Sequence, residues 1–365
     1  MITVLADDLS GAAEVAGVFL DRAVPISLQL TGYRSSTSSG VVVTDLNTRA
    51  MAPQAAAQAV RAALAAIPAE DLVIKKIDSL LRGHIRDEVA VLAERGPVVV
   101  GAALPALGRT VIDGVLYLGD APLHETSAWA AEGGVPPHTV AELFTGLDAG
   151  GRITICDAVS DSDLDAIVAD SLRTPGTQLV GTAALTAAVA RTLPAKTEAA
   201  ERSQPSTSVL TVVGTAAPTA ATQVEALTDD GVRLVTVDAR ALLHDKADPD
   251  PLQWALERGR AVVRIGGVVD TAEQQAVSAA LGRLIAAAQA QHRPDLVLTG
   301  GETARAVVEA IGVETLRPIH QIHHGAVVSV AADGRRVVTR PGSFGDADSL
   351  LTIVRYLTQD SEDNS

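Results

Sequence analysis

Two adjacent carboxylates, Asp7 and Asp8, stand where a short apolar run ends, in Ala6-Asp7-Asp8-Leu9-Ser10-Gly11-Ala12. Such a pair can bind sugar hydroxyls, hold a magnesium ion through water, or supply a general base. The plainer alternative is a helix cap with a dipole-favoured acid beside it. A second cluster lies in Lys75-Lys76-Ile77-Asp78-Ser79-Leu80-Leu81-Arg82-Gly83. The chain has only four lysines, and two of them are here, with Arg82 and Arg86 close behind. In a protein of formal net charge −15, that concentration suits an anionic carboxylate or a transferring phosphoryl group. A solvated strand end with ordinary ion pairs is the alternative. Arg49, in Asp45-Leu46-Asn47-Thr48-Arg49, and Arg109, in Gly108-Arg109-Thr110, also follow apolar runs. Each offers a planar fork to a carboxylate, although an arginine so placed is more often a surface residue.

The second half of the chain carries loops of another kind. Gly214-Thr215-Ala216-Ala217-Pro218-Thr219, Thr299-Gly300-Gly301-Glu302-Thr303-Ala304 and Pro341-Gly342-Ser343-Phe344-Gly345-Asp346 each precede a helical pattern. Glycines there let backbone N–H groups approach an anion, and the helix start adds a favourable dipole. One such loop is weak evidence; three in one half point to phosphates. Gly-x-x-x-x-Gly-Lys-Ser/Thr, Gly-x-Gly-x-x-Gly and the protein-kinase His-Arg-Asp signature are all absent. His320-x-x-His323-His324 has no acidic or thiol ligand beside it, so no metal site is assigned. Cys156 reads as a small core residue.

These loops need strands and helices to place them. Apolar runs at 2–6, 41–44, 72–77, 98–104, 152–156 and 178–181 alternate with Ala-rich helical patterns, which predicts βαβ units and a mainly parallel sheet. The stretch from Arg109 to Thr126 reads as a hairpin or wandering loop, with a turn at 119–122. Residues 195–208 are polar and aperiodic, the best domain boundary in the chain. Beyond it, runs at 209–213, 233–237, 261–265 and 295–299 repeat the pattern, and a hairpin at 327–330 and 335–339 turns on Asp333-Gly334. The fold class is therefore α/β, with two domains, each a mainly parallel sheet flanked by helices. With 47 % hydrophobic but only 2 % aromatic residues, the cores are filled by Ala, Val, Leu and Ile. The acidic balance argues against nucleic-acid or anionic-membrane partners. No apolar run approaches the ~18 residues of a membrane span, and the N-terminus lacks a signal-peptide pattern, so a cytoplasmic protein is expected.

Taken in order, these segments resemble the four-carbon acid sugar kinase family. The resemblance rests on Ala-Asp-Asp-Leu-Ser-Gly-Ala at 6–12, Lys-Lys-Ile-Asp-Ser-Leu-Leu-Arg-Gly at 75–83 and Pro-Ala-Leu-Gly-Arg-Thr at 105–110. Gly-Val-Leu-Tyr-Leu at 114–118, Pro-Leu-His-Glu-Thr at 122–126, Thr-Gly-Gly-Glu-Thr-Ala at 299–304 and Gly-Ser-Phe-Gly-Asp-Ala-Asp at 342–348 extend it over nearly the whole chain. It implies a sugar-acid-binding domain at 1–195, a linker at 196–208, a nucleotide-binding domain at 209–358 and a disordered tail at 359–365, with the active site in the inter-domain cleft. It implies ATP and Mg²⁺, and an acid such as threonate, erythronate or 3-oxo-tetronate. In this reading Asp8, Lys76, Asp78 and Arg82 are catalytic, either aspartate serving as base, and Asp7, Arg49, Ser79 and Arg109 bind the acid. Thr215, Gly300, Gly301, Glu302, Thr303, Gly342 and Gly345 bind the nucleotide. A homodimer is left open.

The chain also departs from the family pattern. Leu80 stands where threonine is usual, Glu302 where aspartate is usual and Ala217 where serine is common. These changes motivate a competing reading, a protein of the same family that binds acid and nucleotide without transfer. A sugar-acid isomerase or dehydrogenase is a third reading, disfavoured by the missing dinucleotide fingerprint.

Overall fold

The computed structural model describes residues 1–358 except 31, 35–39, 130–133, 148–149, 198–203, 215–217 and 343. The chain divides into two compact units, Met1–Thr197 and Glu198–Ser365.

Unit 1 runs β1 (Ile2–Ala6), α1 (Leu9–Gly17), β2 (Ile26–Gln29), β3 (Val41–Asp45), α2 (Pro53–Ala66), β4 (Leu72–Lys76), α3 (Ile85–Arg95) and β5 (Val98–Gly101). It continues with β6 (Arg109–Ile112), β7 (Val115–Leu118), β8 (Ala121–Pro122), β9 (Ile153–Ile155), α4 (Asp161–Ser171), β10 (Gln178–Gly181) and α5 (Ala183–Arg191). The main sheet has the order β2-β3-β1-β4-β10-β5-β9, and every pair is parallel. Strands β1, β3 and β4 are buried on both faces, so their sequences are continuous apolar runs without alternation. The chain steps to one side of β1 for β2 and β3, then crosses it to lay down β4. This reversal puts the carboxyl ends of β3, β1 and β4 side by side, with Ala6 opposite both Asp45 and Lys76. In open α/β sheets such a point is where ligands bind.

Strand β2 is an addition to the sequence reading; at four residues it is too short for its pattern to stand out. The stretch from 109 to 126 has the expected turn, at Gly119-Asp120 between β7 and β8, and an earlier one besides. β6 and β7 join through Asp113-Gly114, both at positive φ, the two-residue turn that matches strand twist. The Asp157 carboxylate accepts from both turn amides, at 2.7 and 2.9 Å. This gives an antiparallel β6-β7-β8 sheet that carries Arg109 at its start.

Unit 2 runs β11 (Val209–Val213), α6 (Pro218–Asp229), β12 (Arg233–Asp238), α7 (Ala239–Leu243), α8 (Asp250–Leu256), β13 (Arg260–Gly266) and α9 (Gln274–Gln289). It ends with β14 (Asp295–Thr299), α10 (Gly301–Ala310), β15 (Thr315–His323), β16 (Ala326–Ala331), β17 (Arg336–Arg340) and α11 (Ser349–Thr358). The order is β12-β13-β11-β14-β17-β16-β15, parallel through β17 and antiparallel beyond it. Val209, Val262, Val297 and Val338 present one face to Leu227 of α6 and to Leu350, Ile353 and Leu357 of α11. β15 is the second strand absent from the sequence reading. Its Pro318, its polar positions and register shifts at Pro318/His320 and Gln321/His323 break the alternation that would mark a strand. Among the described residues no helix is long and apolar enough to cross a membrane.

Candidate active site

In unit 1 the charged residues of three loops meet at the carboxyl edge of β3, β1 and β4. Asp8 caps α1, its Oδ1 accepting from the Gly11 amide at 2.9 Å. Arg49, 41 residues away in sequence, donates from Nη1 to Asp8 Oδ2 at 3.0 Å and from Nε to Asp7 Oδ2 at 2.9 Å. Its Nη2 also lies 3.7 Å from Asp78 Oδ1. Asp78 is clasped by Arg82 through both carboxylate oxygens, each at 2.7 Å, and Oδ2 accepts from the Leu80 amide at 3.0 Å. Arg109 donates to Ser79 Oγ. All eight residues assigned to unit 1 therefore lie at one edge of the sheet; Lys76, the last of them, is placed by β4.

Lysines 75 and 76 divide between the sheet's two faces, as neighbours on a strand must. Lys76 Nζ lies 3.5 Å from Glu14 Oε2 of α1, and Lys75 Nζ lies 3.1 Å from Glu88 Oε2 of α3. Lys75 is 0 % exposed and Glu88 1 %. Thr48 Oγ1 donates to the other oxygen of Glu88, so this buried pair also anchors the loop that carries Arg49. Glu14, Thr48 and Glu88 were not singled out in the sequence reading. A signal was available: Glu14 lies in a helix whose nine residues are all buried, where an acid needs a partner.

The carboxylates differ in electrostatics. Burial raises the Asp7 pKa, but Arg49, Lys75 and Lys76 outweigh burial and hold it below the usual value of 3.8. Burial also raises Asp78, yet the Arg82 hydrogen bonds and the Arg49 charge bring it far below that value. Asp8 moves the other way: burial raises it, Asp7 adds to the rise, and Arg49 and Lys76 recover only part. Asp8 is thus the carboxylate suited to take a proton, whereas Asp78 is fixed as an anion that orients Arg82. Asp7 Oδ1 is buried with no hydrogen-bond partner among the described residues.

Leu80 enters these contacts only through its backbone. Its amide serves Asp78, and its carbonyl accepts from Trp129 Nε1 at 2.7 Å. The change from the family's threonine leaves both contacts available.

In unit 2 the three glycine loops converge. Val213 is paired with Thr299, and Thr299 with Arg340, so Gly214, Gly300 and Pro341-Gly342 follow adjacent parallel strand ends. Gly214 has no room for a side chain, because an added Cβ would run into the Thr303 side chain. Thr303 is 3 % exposed and packs there. Gly214→Ala is expected to cost about 1–3 kcal/mol by overpacking, read as a lower midpoint in urea unfolding; an unchanged midpoint would deny the close contact. Gly300, at φ 84°, caps α10 and begins the next loop, with Gly301 the first residue of that helix. Glu302 turns to α9, accepting from Ser278 Oγ at 2.8 Å. Gly345 is exposed at φ 81° ahead of α11. Thr215 and Ala217 lie outside the described residues, as does the 359–365 tail.

The three histidines do separate jobs. His320 stacks on Tyr356 with ring centroids 4.9 Å apart, and His324 on Phe344 at 5.5 Å. His323 Nε2 lies 2.9 Å from Ser349 Oγ.

Known proteins give this arrangement its context. Residues 2–138 match the model of a sugar-binding N-terminal domain and residues 210–350 that of a nucleotide-binding C-terminal domain. The chain is 31 % identical to a D-threonate kinase of Cupriavidus necator, over 98 % of each chain. It is 27 % identical to a D-erythronate kinase of Heliobacterium modesticaldum, over 98 % of this chain and 97 % of that one. Among solved structures, a Salmonella typhimurium protein superposes with a TM-score of 0.78 at 20 % identity, covering 98 % of this chain and 99 % of that one, a likeness of fold. With a sugar-binding and a nucleotide-binding domain in this order and a relative matched end to end, the chain belongs to the four-carbon acid sugar kinase family.

Proposed function

We propose that the chain transfers the γ-phosphoryl group of ATP to a hydroxyl of a four-carbon sugar acid of the threonate, erythronate or 3-oxo-tetronate type. Unit 1 holds the acid and the glycine loops of unit 2 hold the nucleotide. The observation that carries this reading is the state of Arg109. Arg49, Lys75, Lys76 and Arg82 each have a carboxylate within 4 Å. Arg109 has none among the described residues and is half-buried, with Ser79 Oγ as its neighbour. A partly desolvated guanidinium with no carboxylate at ion-pair distance is a receptor for one, bound through its planar fork.

In the proposed reaction the acid's carboxylate pairs with Arg109 while Asp7 Oδ1 accepts a hydroxyl. Asp8 takes the proton of the attacking hydroxyl as its oxygen bonds to the γ-phosphorus and the bond to the ADP oxygen breaks. Lys76 and Arg82 offset the charge that develops. Such chemistry relies mainly on positioning and electrostatics, so one carboxylate of raised pKa suffices as base. Magnesium belongs with the phosphates of ATP, its common mode in kinases; among the described residues no three His, Cys, Asp or Glu side chains group to hold a metal by themselves.

Arg109→Ala is expected to raise KM for the acid about tenfold to a hundredfold, the worth of a hydrogen-bonded charge pair, while KM for ATP stays put. Steady-state kinetics with each substrate varied in turn tests this. An acid KM within twofold of wild type would reject Arg109 as the carboxylate receptor.

A further inference from the structure

Beneath the third glycine loop lies a buried cation that no step above uses. Arg340, the last residue of β17, is 1 % exposed. Its Nη1 donates to the Phe344 carbonyl and to Ser349 Oγ at 2.9 Å, and its Nη2 to Gln223 Oε1 at 2.8 Å. Gln223, itself 0 % exposed, passes the contact on, its Nε2 donating to the Asp346 carbonyl at 2.7 Å. Ser349 Oγ is held from the other side by His323 Nε2. Since His323 Nδ1 lies 3.1 Å from the His324 carbonyl, Nδ1 is the donor and Nε2 accepts the Ser349 proton. The contacts of Arg340, Gln223 and Ser349 each have an end on the segment from 340 to 349. The loop sits directly on the guanidinium: a Cβ at Gly345 would come 2.9 Å from Arg340 Nη1.

Two further features set Arg340 apart. Its backbone carbonyl accepts from the Gly300 amide at 3.0 Å, tying the third glycine loop to the second. No carboxylate of the described residues lies within 4 Å of it, and its Nε is buried without a partner. Burial pushes its pKa down to about 10, with Asp346 opposing the fall, so it remains a cation at neutral pH. A buried charge with no carboxylate at ion-pair distance is costly unless something else supplies the negative partner.

We propose that Arg340 is a positioning residue for the nucleotide's polyphosphate. It shapes the 341–346 loop through Gln223 and Ser349, and it lends the loop a positive charge that the phosphates complete. This rests on the nucleotide reading of unit 2. The histidine motif enters the same account: His323 buttresses Ser349, while His324 packs on Phe344.

Calorimetric titration of the full chain with ATP and with AMP, for wild type, Arg340→Lys and Gln223→Leu, tests the proposal. Gln223→Leu keeps the buried charge and removes the bridge to Asp346, so it serves if Arg340 variants fold poorly. ATP affinity is expected to fall about tenfold to a hundredfold in Gln223→Leu, AMP affinity by no more than about threefold, and Arg340→Lys to lie between wild type and Gln223→Leu. A loss equal for ATP and AMP would overturn the proposal, because the network would then only hold the fold. Unchanged ATP affinity in both variants would overturn it as well. Failure of the wild-type chain to bind ATP would instead overturn the nucleotide reading of unit 2, and this inference with it.

Discussion

Replacing Asp8 by asparagine is expected to lower turnover about a hundredfold to ten-thousandfold, the usual worth of a general base, while ATP affinity stays in place. The substitution is clean for a structural reason. Asp8 is the N-cap of α1, with Oδ1 on the Gly11 amide, and asparagine caps a helix as well as aspartate does. What is lost is the ability to take a proton, together with the charge that pairs with Arg49. Asp78→Asn makes the contrast. Its carboxylate, bound by Arg82 and close to Arg49, stays far below the usual range, so it is a poor base, and its loss acts by releasing Arg82. The pH dependence follows from the direction of the Asp8 shift. Burial and Asp7 raise its pKa, the base must be ionised to work, and turnover therefore falls as pH drops through a value above 3.8. In Asp8→Asn that acid limb disappears from the profile of kcat. Persistence of the limb, or turnover within a few-fold of wild type, would remove Asp8 from the role.

Glu88→Ala is expected to destabilise the protein by about 3–5 kcal/mol, the cost of leaving a buried charge unpaired. Lys75 is 0 % exposed and its Nζ has Glu88 Oε2 at 3.1 Å, with the Lys76 carbonyl as its other listener at 3.0 Å. Removing Glu88 also strips Thr48 Oγ1 of its acceptor, which loosens the loop carrying Arg49. The stability loss, read by denaturant unfolding, is accompanied by weaker acid binding. Removing both charges, as Lys75→Met with Glu88→Leu, is expected to restore most of the stability, since well-packed apolar pairs replace buried ion pairs at little cost. A double variant no more stable than Glu88→Ala would mean the deficit lies in packing and not in the orphaned lysine.

Much of this was legible in the residues alone. The alternation of apolar runs and helical patterns pointed to the parallel strands of both units, since strands buried on two faces leave continuous Val- and Ile-rich runs. Asp7, Asp8, Lys76, Asp78 and Arg82 stood out because charges at strand ends are conspicuous in a chain with so few lysines. What escaped was set by contacts distant in sequence. Glu88 reads as an ordinary first-turn acid of α3 until β4 places Lys75 against it. Arg340 reads as a strand-end cation until α6 and α11 close over it with Gln223 and Ser349. β15 escaped because its bulges spoil the period on which strand recognition depends. The proposed choice of Asp8 over Asp78 as base could not come from spacing, since both follow strands. It depends on which of them Arg82 clasps.

Phosphoryl transfer to a four-carbon acid is tested most directly by ADP release from ATP and Mg²⁺ with a panel of such acids, paired with phosphorus NMR of the product. ADP formed in step with one phosphorylated acid, at a rate lowered about a hundredfold or more in Asp8→Asn, is the expected result. Binding of both ATP and an acid from the panel without any phosphorylated product would contradict it, and would leave a protein that holds the two ligands without joining them.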